Sequence, residues 1–189
     1  MKLWCRIAVL SACLAGSGLQ AQPPDTPAQG SALTGPLFYQ LLLGELNVRQ
    51  GAPGAGFSLL LDAARKTREP ALFQRAIDVA LQSRSGDGAL QAAQAWKREI
   101  PSATEPNRYI LQILIALNRI EEAGPALAVS LADLPEEEKQ AAIVSIPRVF
   151  ARVNDKAQAA QVVEKALARS LTQTRLQASA WTTIGRMRR

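Results

Sequence analysis

The strongest constraint on the fold is a spacing. Pro101 and Pro135 each close a pair of apolar, helix-like runs, and they stand 34 residues apart. Ala89 and Ala123, each early in the second run of a pair, are again 34 apart, and Gly56 precedes Ala89 by 33. A period of this length belongs to helix–turn–helix units. One helix pair cannot bury its own apolar face, so such units stack on their neighbours and share a continuous core. The spacing predicts an all-α chain, an αα-hairpin solenoid of about four degenerate units over residues 34–189. A non-repetitive bundle of Ala/Leu-rich helices is the alternative.

The local pattern agrees. Leu37, Leu41, Glu45 and Val48 recur at helical spacing, with Leu42, Leu43 and Leu46 widening the apolar face. Gln50-Gly51-Ala52-Pro53-Gly54 should end that helix, and a second should run from about Ala55 to Lys66. Pro70 should open a third helix, to about Ser83. The Ser85-Gly86-Asp87-Gly88 segment reads as a turn before a fourth, Ala89 to Glu99. Pro147 lies inside the run Glu138 to Val153 and is expected to kink or split it. Glu136, Glu137 and Glu138 suit a helix N-terminus, where carboxylates oppose the dipole. No stretch shows the two-residue alternation of strands.

Composition narrows the chemistry. Aromatic residues make up only 5% against 48% hydrophobic overall, a balance that suits close-packed helices better than a β-sandwich. The formal charge is +6, but two of the cations are Lys2 and Arg6, and three more are Arg186, Arg188 and Arg189. The body between carries interspersed acids and bases, so no nucleic-acid partner is expected. Histidine is absent, and the two cysteines, Cys5 and Cys13, both lie near the N-terminus. That excludes a Cys/His zinc set and histidine-based acid–base or triad chemistry from the helical region. The expectation is a non-enzyme without metal or cofactor.

The N-terminus reads as an export address. Lys2 and Arg6 precede the uncharged, apolar stretch Ile7 to Leu19, and a Pro-rich segment follows at Gln22-Pro23-Pro24-Asp25-Thr26-Pro27. The stretch is short for a span, which takes about 20 apolar residues. Two processing routes stay open. Cleavage after Ala21 would make residues 1–21 a signal peptide and 22–33 a linker. Alternatively, Leu10-Ser11-Ala12-Cys13 resembles a lipobox, with Cys13 as the lipidation site. Either route predicts an exported, periplasmic protein, in the second case an outer-membrane lipoprotein. Membrane contact is expected only through such a lipid anchor.

The repeats resemble the tetratricopeptide family. Leu43-Gly44 stands for its Leu-Gly pair, with Gly56 and Leu60 for its Ala and Phe positions. The next unit gives Phe73 in place of Trp, then Ala89, Ala93 and the closing Pro101. The third gives Ile110, Ala123, Leu127 and Pro135. A fourth, irregular unit spans Glu136 to Ala168, with Ala159, Val163 and Ala166 on its second helix. Trp181-Thr182-Thr183-Ile184-Gly185 is the best match to the Trp-x2-Leu-Gly signature. It reads as the start of a fifth unit with no second helix. The C-terminal helix is therefore expected to be unpaired, with Trp181 and Ile184 lacking a packing partner, and the array to continue beyond this chain.

The arrangement of export signal, linker and the helices Leu37–Leu46 and Leu59–Arg65 is similar to proteobacterial envelope proteins of that family. The resemblance implies a protein-binding scaffold or adaptor in the bacterial envelope. Its partners would be other envelope proteins, and some relatives deliver cell-wall hydrolases to a carboxyl-terminal processing protease. The first helix of each pair would line a concave groove that takes peptide or protein segments. Carried over residue by residue, the groove comprises Phe38, Leu41, Glu45 and Arg49 in the first unit, Gln74 and Asp78 in the second, and Arg108, Gln112 and Ile115 in the third. Two other readings stay open: a structural segment of a larger envelope assembly, and a helical cell-wall hydrolase using carboxylates. The hydrolase needs paired, buried acids.

Overall fold

A computed structural model describes residues 33–188. The export segment, Cys13 and the linker up to residue 32 lie outside the described residues. Every regular element described is an α-helix: α1 (Gly35–Arg49), α2 (Pro53–Thr67), α3 (Pro70–Gln82), α4 (Gly86–Glu99), α5 (Glu105–Ala116), α6 (Ile120–Ala132), α7 (Glu136–Val149), α8 (Lys156–Ala166), the single turn α9 (Ala168–Leu171) and α10 (Thr174–Met187). None is long and apolar enough to cross a membrane.

Six helices form a regular run. Each of α1 to α5 packs on the next in sequence, giving three antiparallel hairpins stacked as a solenoid. The second helices α2, α4, α6 and α8 open at residues 53, 86, 120 and 156, close to the expected period. Local chemistry sets the boundaries. Thr34 accepts the amide of Leu37 and caps α1. Proline stands in the first turn of α1, α2, α3 and α5, where its missing N–H costs nothing. Four inter-helix turns each use one left-handed residue: Gly51, Arg68, Arg84 and Asn118.

The Ser85–Gly88 segment differs from the turn expected of it. Arg84, at φ 59°, makes the reversal alone, and Gly86 and Gly88 already belong to the first turn of α4. These glycines serve packing. A Cβ at Gly86 would stand 2.5 Å from Leu117, and one at Gly88 would stand 2.7 Å from the Ser85 hydroxyl. The first hairpin uses the same device. A Cβ at Gly56 would lie 2.7 Å from the Gly44 carbonyl oxygen, so α2 rests directly on the backbone of α1.

The core follows the helix seams. Phe73, Ala76, Ala89, Ala93, Ala123 and Ala159 are fully buried, with small residues where backbones approach and larger ones between. One aromatic column ties three helices together. The ring of Phe73 stacks on Trp96 at 6.1 Å, and Trp96 meets Tyr109 at 5.9 Å with a 38° tilt. Such pairs add roughly 0.5–1.5 kcal/mol beyond burial.

The regular run ends at α7. Helix α6 touches α7 only marginally and packs on α8 instead, while α7 packs on α10. Pro147 does not split the helix: α7 continues past it to Val149. Proline at 147 has no N–H for the carbonyl of Ile143, one turn earlier. The hydroxyl of Thr183, on α10, donates to that carbonyl at 3.0 Å in a fully buried setting. The break is thus repaired from outside the helix.

The same contact corrects the picture of an unpaired C-terminal helix. Among the described residues α10 has no following helix, but it is packed against α7, α8 and α9. Leu176, Ala180, Thr183 and Ile184 are buried there, so Ile184 does have its packing partner. Trp181 points outward and is 54% exposed.

Candidate protein-binding face

The first helices present a row of side chains on the side away from their partners. On α1, Leu37, Leu41, Gly44 and Val48 fall on the face turned to α2. At 100° per residue, Phe38, Leu42, Leu46, Tyr39 and Arg49 fall opposite. The exposures agree: Phe38 is 54% exposed, Tyr39 61%, Leu42 44% and Leu46 40%. Helix α1 is thus apolar nearly all round, a pattern expected of a helix covered on every side. Here one side faces solvent.

Helices α3 and α5 carry exposed side chains as well. Asp78 and Leu81 are exposed and Gln74 half-buried on α3, while Arg108 and Gln112 are exposed on α5. The guanidinium of Arg108 lies 5.8 Å from the ring centre of its neighbour Tyr109. That fixes a cation on a residue already held by the aromatic column. Of the nine expected groove residues, Phe38, Arg49, Asp78, Arg108 and Gln112 are exposed and Gln74 is half-buried. Leu41 and Ile115 turn instead toward the core, partly buried against it.

Glu45 is only half-exposed, and its role is electrostatic. Its two carboxylate oxygens accept Nε and Nη2 of Arg75, both at 2.7 Å, which links α1 to α3. The hydrogen bonds from Arg75 hold the Glu45 carboxyl below its ordinary value, against a smaller opposing effect of burial, with further help from the charges of Arg75 and Arg49. Arg75 is raised in turn, first by its bonds to Glu45, with Asp78 contributing from the same side. The four residues make a charge-balanced cluster. A proton donor in a glycosidase requires a raised value, the opposite direction. Asp78 is exposed, so the two acids do not form the buried pair that the hydrolase reading needs.

A cleft opens at the end of the row, where α7 parts from α6. It encloses about 500 Å³. Arg108, Gln112 and Glu105 stand on its α5 side, Leu127, Leu131 and Asp133 on α6, and Glu138, Ile146 and Phe150 on the α7 side. Leucine and aromatic side chains form the floor, and charged residues the rim. The amide of Asn107 donates to the Asp133 carboxylate, which holds that rim residue in place. Among the described residues no group of three or more acids, cysteines or histidines is placed to hold a metal.

Several of these residues were hidden from sequence reasoning. Arg75 pairs across 30 positions, and no local pattern announces such a partner. Leu42 and Leu46, expected to widen the apolar face of α1, turn outward instead, each about half a turn from Gly44. The cleft was not readable, because it results from α7 leaving the regular stack. No protein-family model matches the chain, and no curated protein is significantly similar to it.

Proposed function

We propose that this chain is a protein-binding scaffold of tetratricopeptide type, an adaptor in the bacterial envelope that takes an amphipathic segment of another envelope protein along its first helices. One observation carries the reading. Helix α1 exposes Phe38, Tyr39, Leu42 and Leu46 together, on the side away from α2, the helix it packs on. Contiguous apolar patches of a few hundred Å² on a water-soluble surface mark interaction sites. The neighbouring Arg49, Asp78 and Arg108 supply mixed charge, which suits a helix or extended peptide lying across apolar platforms.

The expected export supports a partner in the same compartment. In some of the envelope proteins that the arrangement resembles, that partner is a processing protease together with its substrates. The tetratricopeptide assignment itself rests on the 34-residue spacing and on the pairs Leu43-Gly44 with Gly56 and Ala89 with Ala93.

Affinity capture from envelope extract tests the proposal. The purified protein should retain a defined set of proteins that a Leu42→Asp/Leu46→Asp variant loses, while both show the same thermal midpoint. An Arg49→Ala/Arg108→Ala variant should lose part of the same set. Capture of identical proteins by all three forms would sink the assignment of this face.

A further inference from the structure

The parting of α6 and α7 leaves a second cleft, and its chemistry differs from the first. It encloses about 570 Å³ between α6, α7 and the α8–α9–α10 corner, with Leu131 shared by both clefts. Three cations line it: Lys139 from α7, Lys165 from the end of α8 and Arg169 from α9. None of its lining residues is acidic. Between the cations the walls are apolar, formed by Val129, Leu131, Ile143 and Leu176.

The fold accounts for the three cations unequally. Lys165 sits in the last turn of α8, where a positive charge complements the helix dipole. Lys139 does the opposite, standing in the first turn of α7 at the positive end. Its side chain is only 16% exposed, and its ion-pair partner among the described residues is Glu136, itself 60% exposed. Glu136 supplies the counter-charge that so enclosed an ammonium needs. Lys165 and Arg169 make no ion pair with any described residue.

We propose that this cleft binds a single-chain anionic amphiphile, with a carboxylate or phosphate head against Lys139, Lys165 and Arg169 and an alkyl chain along Val129, Ile143 and Leu176. The size suits one small ligand, since such sites run to roughly 300–1,000 Å³. A peptide fits the walls poorly. The helices that form them use their backbone groups internally, so a peptide's amides would be buried without partners. An alkyl chain has no such groups to satisfy. The inference is independent of the protein-binding face, which lies on α1, α3 and α5.

Calorimetric titration of the purified protein tests it, with decanoate and decyl phosphate below their micelle concentrations. Decyltrimethylammonium and inorganic phosphate serve as comparisons. At least one of the anionic amphiphiles should bind, tenfold or more tighter than either comparison. The tighter of the two anions identifies the head group. A Lys139→Gln/Arg169→Gln variant should bind tenfold or more weaker. Should that variant lose helix content, Arg169→Gln alone, at an exposed position, should still lose about threefold, which is about 0.7 kcal/mol. Failure of both anions to bind, equal binding of the alkyl ammonium, or unchanged affinity in the folded variants would each overturn the proposal.

Discussion

The hydroxyl of Thr183 donates to the carbonyl of Ile143 at 3.0 Å, and that carbonyl is the acceptor Pro147 leaves without its helical donor. A side chain 40 residues away in sequence thus completes a helix that its own backbone cannot. The bond fixes α10 on α7, and both partners are buried.

Replacing Thr183 by Val keeps the shape and removes the donor. We expect a loss of about 1–3 kcal/mol, the cost of a buried unsatisfied carbonyl. Pro147→Ala restores an N–H for Ile143, so the double variant should recover much of that loss. Denaturant melts of the four forms give the coupling. Additive effects would mean that the two residues do not share this carbonyl.

Two Leu/Ile-Gly pairs make an internal comparison. Leu43-Gly44 is covered by α2, whereas a Cβ built at Gly185 meets nothing within 4 Å. Gly56→Ala, opposite Gly44, should therefore destabilise by about 1–3 kcal/mol, because the new methyl must displace backbone. Gly185→Ala should be neutral or stabilise by up to about 1 kcal/mol through helix propensity. Thermal melts followed by circular dichroism separate the two outcomes.

The Glu45–Arg75 pair predicts an acid response. Glu45 is lowered in the folded state, so below its ordinary value of 4.5 the unfolded chain binds more protons than the folded one. Stability from this pair is present above about pH 4.5 and is lost as pH falls through the lowered value. Both side chains are about a third exposed, so the contribution stays within about 1 kcal/mol and weakens with salt. Arg75→Gln should flatten this part of the pH–stability curve. An unchanged acid limb would refute the linkage.

Arg84 occupies the left-handed region at φ 59° between α3 and α4, a conformation costly for a residue with a Cβ. Arg84→Gly should stabilise by roughly 0.5 kcal/mol, the strain relief being partly offset by the greater chain entropy of glycine. Gly51→Ala, at φ 84°, should destabilise by about 1 kcal/mol. Parallel melts of the two variants should move in opposite directions.

Much of the fold was legible because helices of this kind record their burial locally. Phe73, Ala89, Ala93 and Ala123 lie at the spacings that mark packed faces, and all four are buried. Gly51 caps α1 as its place in the sequence suggested. The reading failed where a residue's purpose lay in a distant element. Gly86 and Gly88 look like turn glycines until Leu117 and Ser85 are set against them. Pro147 looks like a break until Thr183 supplies the missing donor. Five of the nine expected groove residues are exposed, because one face of each first helix could be followed by spacing. Leu41 shares its face with Gly44 and Val48, and that same spacing would have placed it inward.

The exchange of neighbours at α7 also imposes an order on assembly. Helices α1 to α6 find their partners next in sequence, so each hairpin can close as soon as its second helix is available, the fast, local kind of contact. Helix α7 cannot follow suit, because the helix it packs on begins only at Thr174. Until then its apolar face, with Ile143 and Ile146, has no seat. A chain emerging from its N-terminus would complete three hairpins one by one and seat α8 on α6, leaving α7 to close with α10 in a late step.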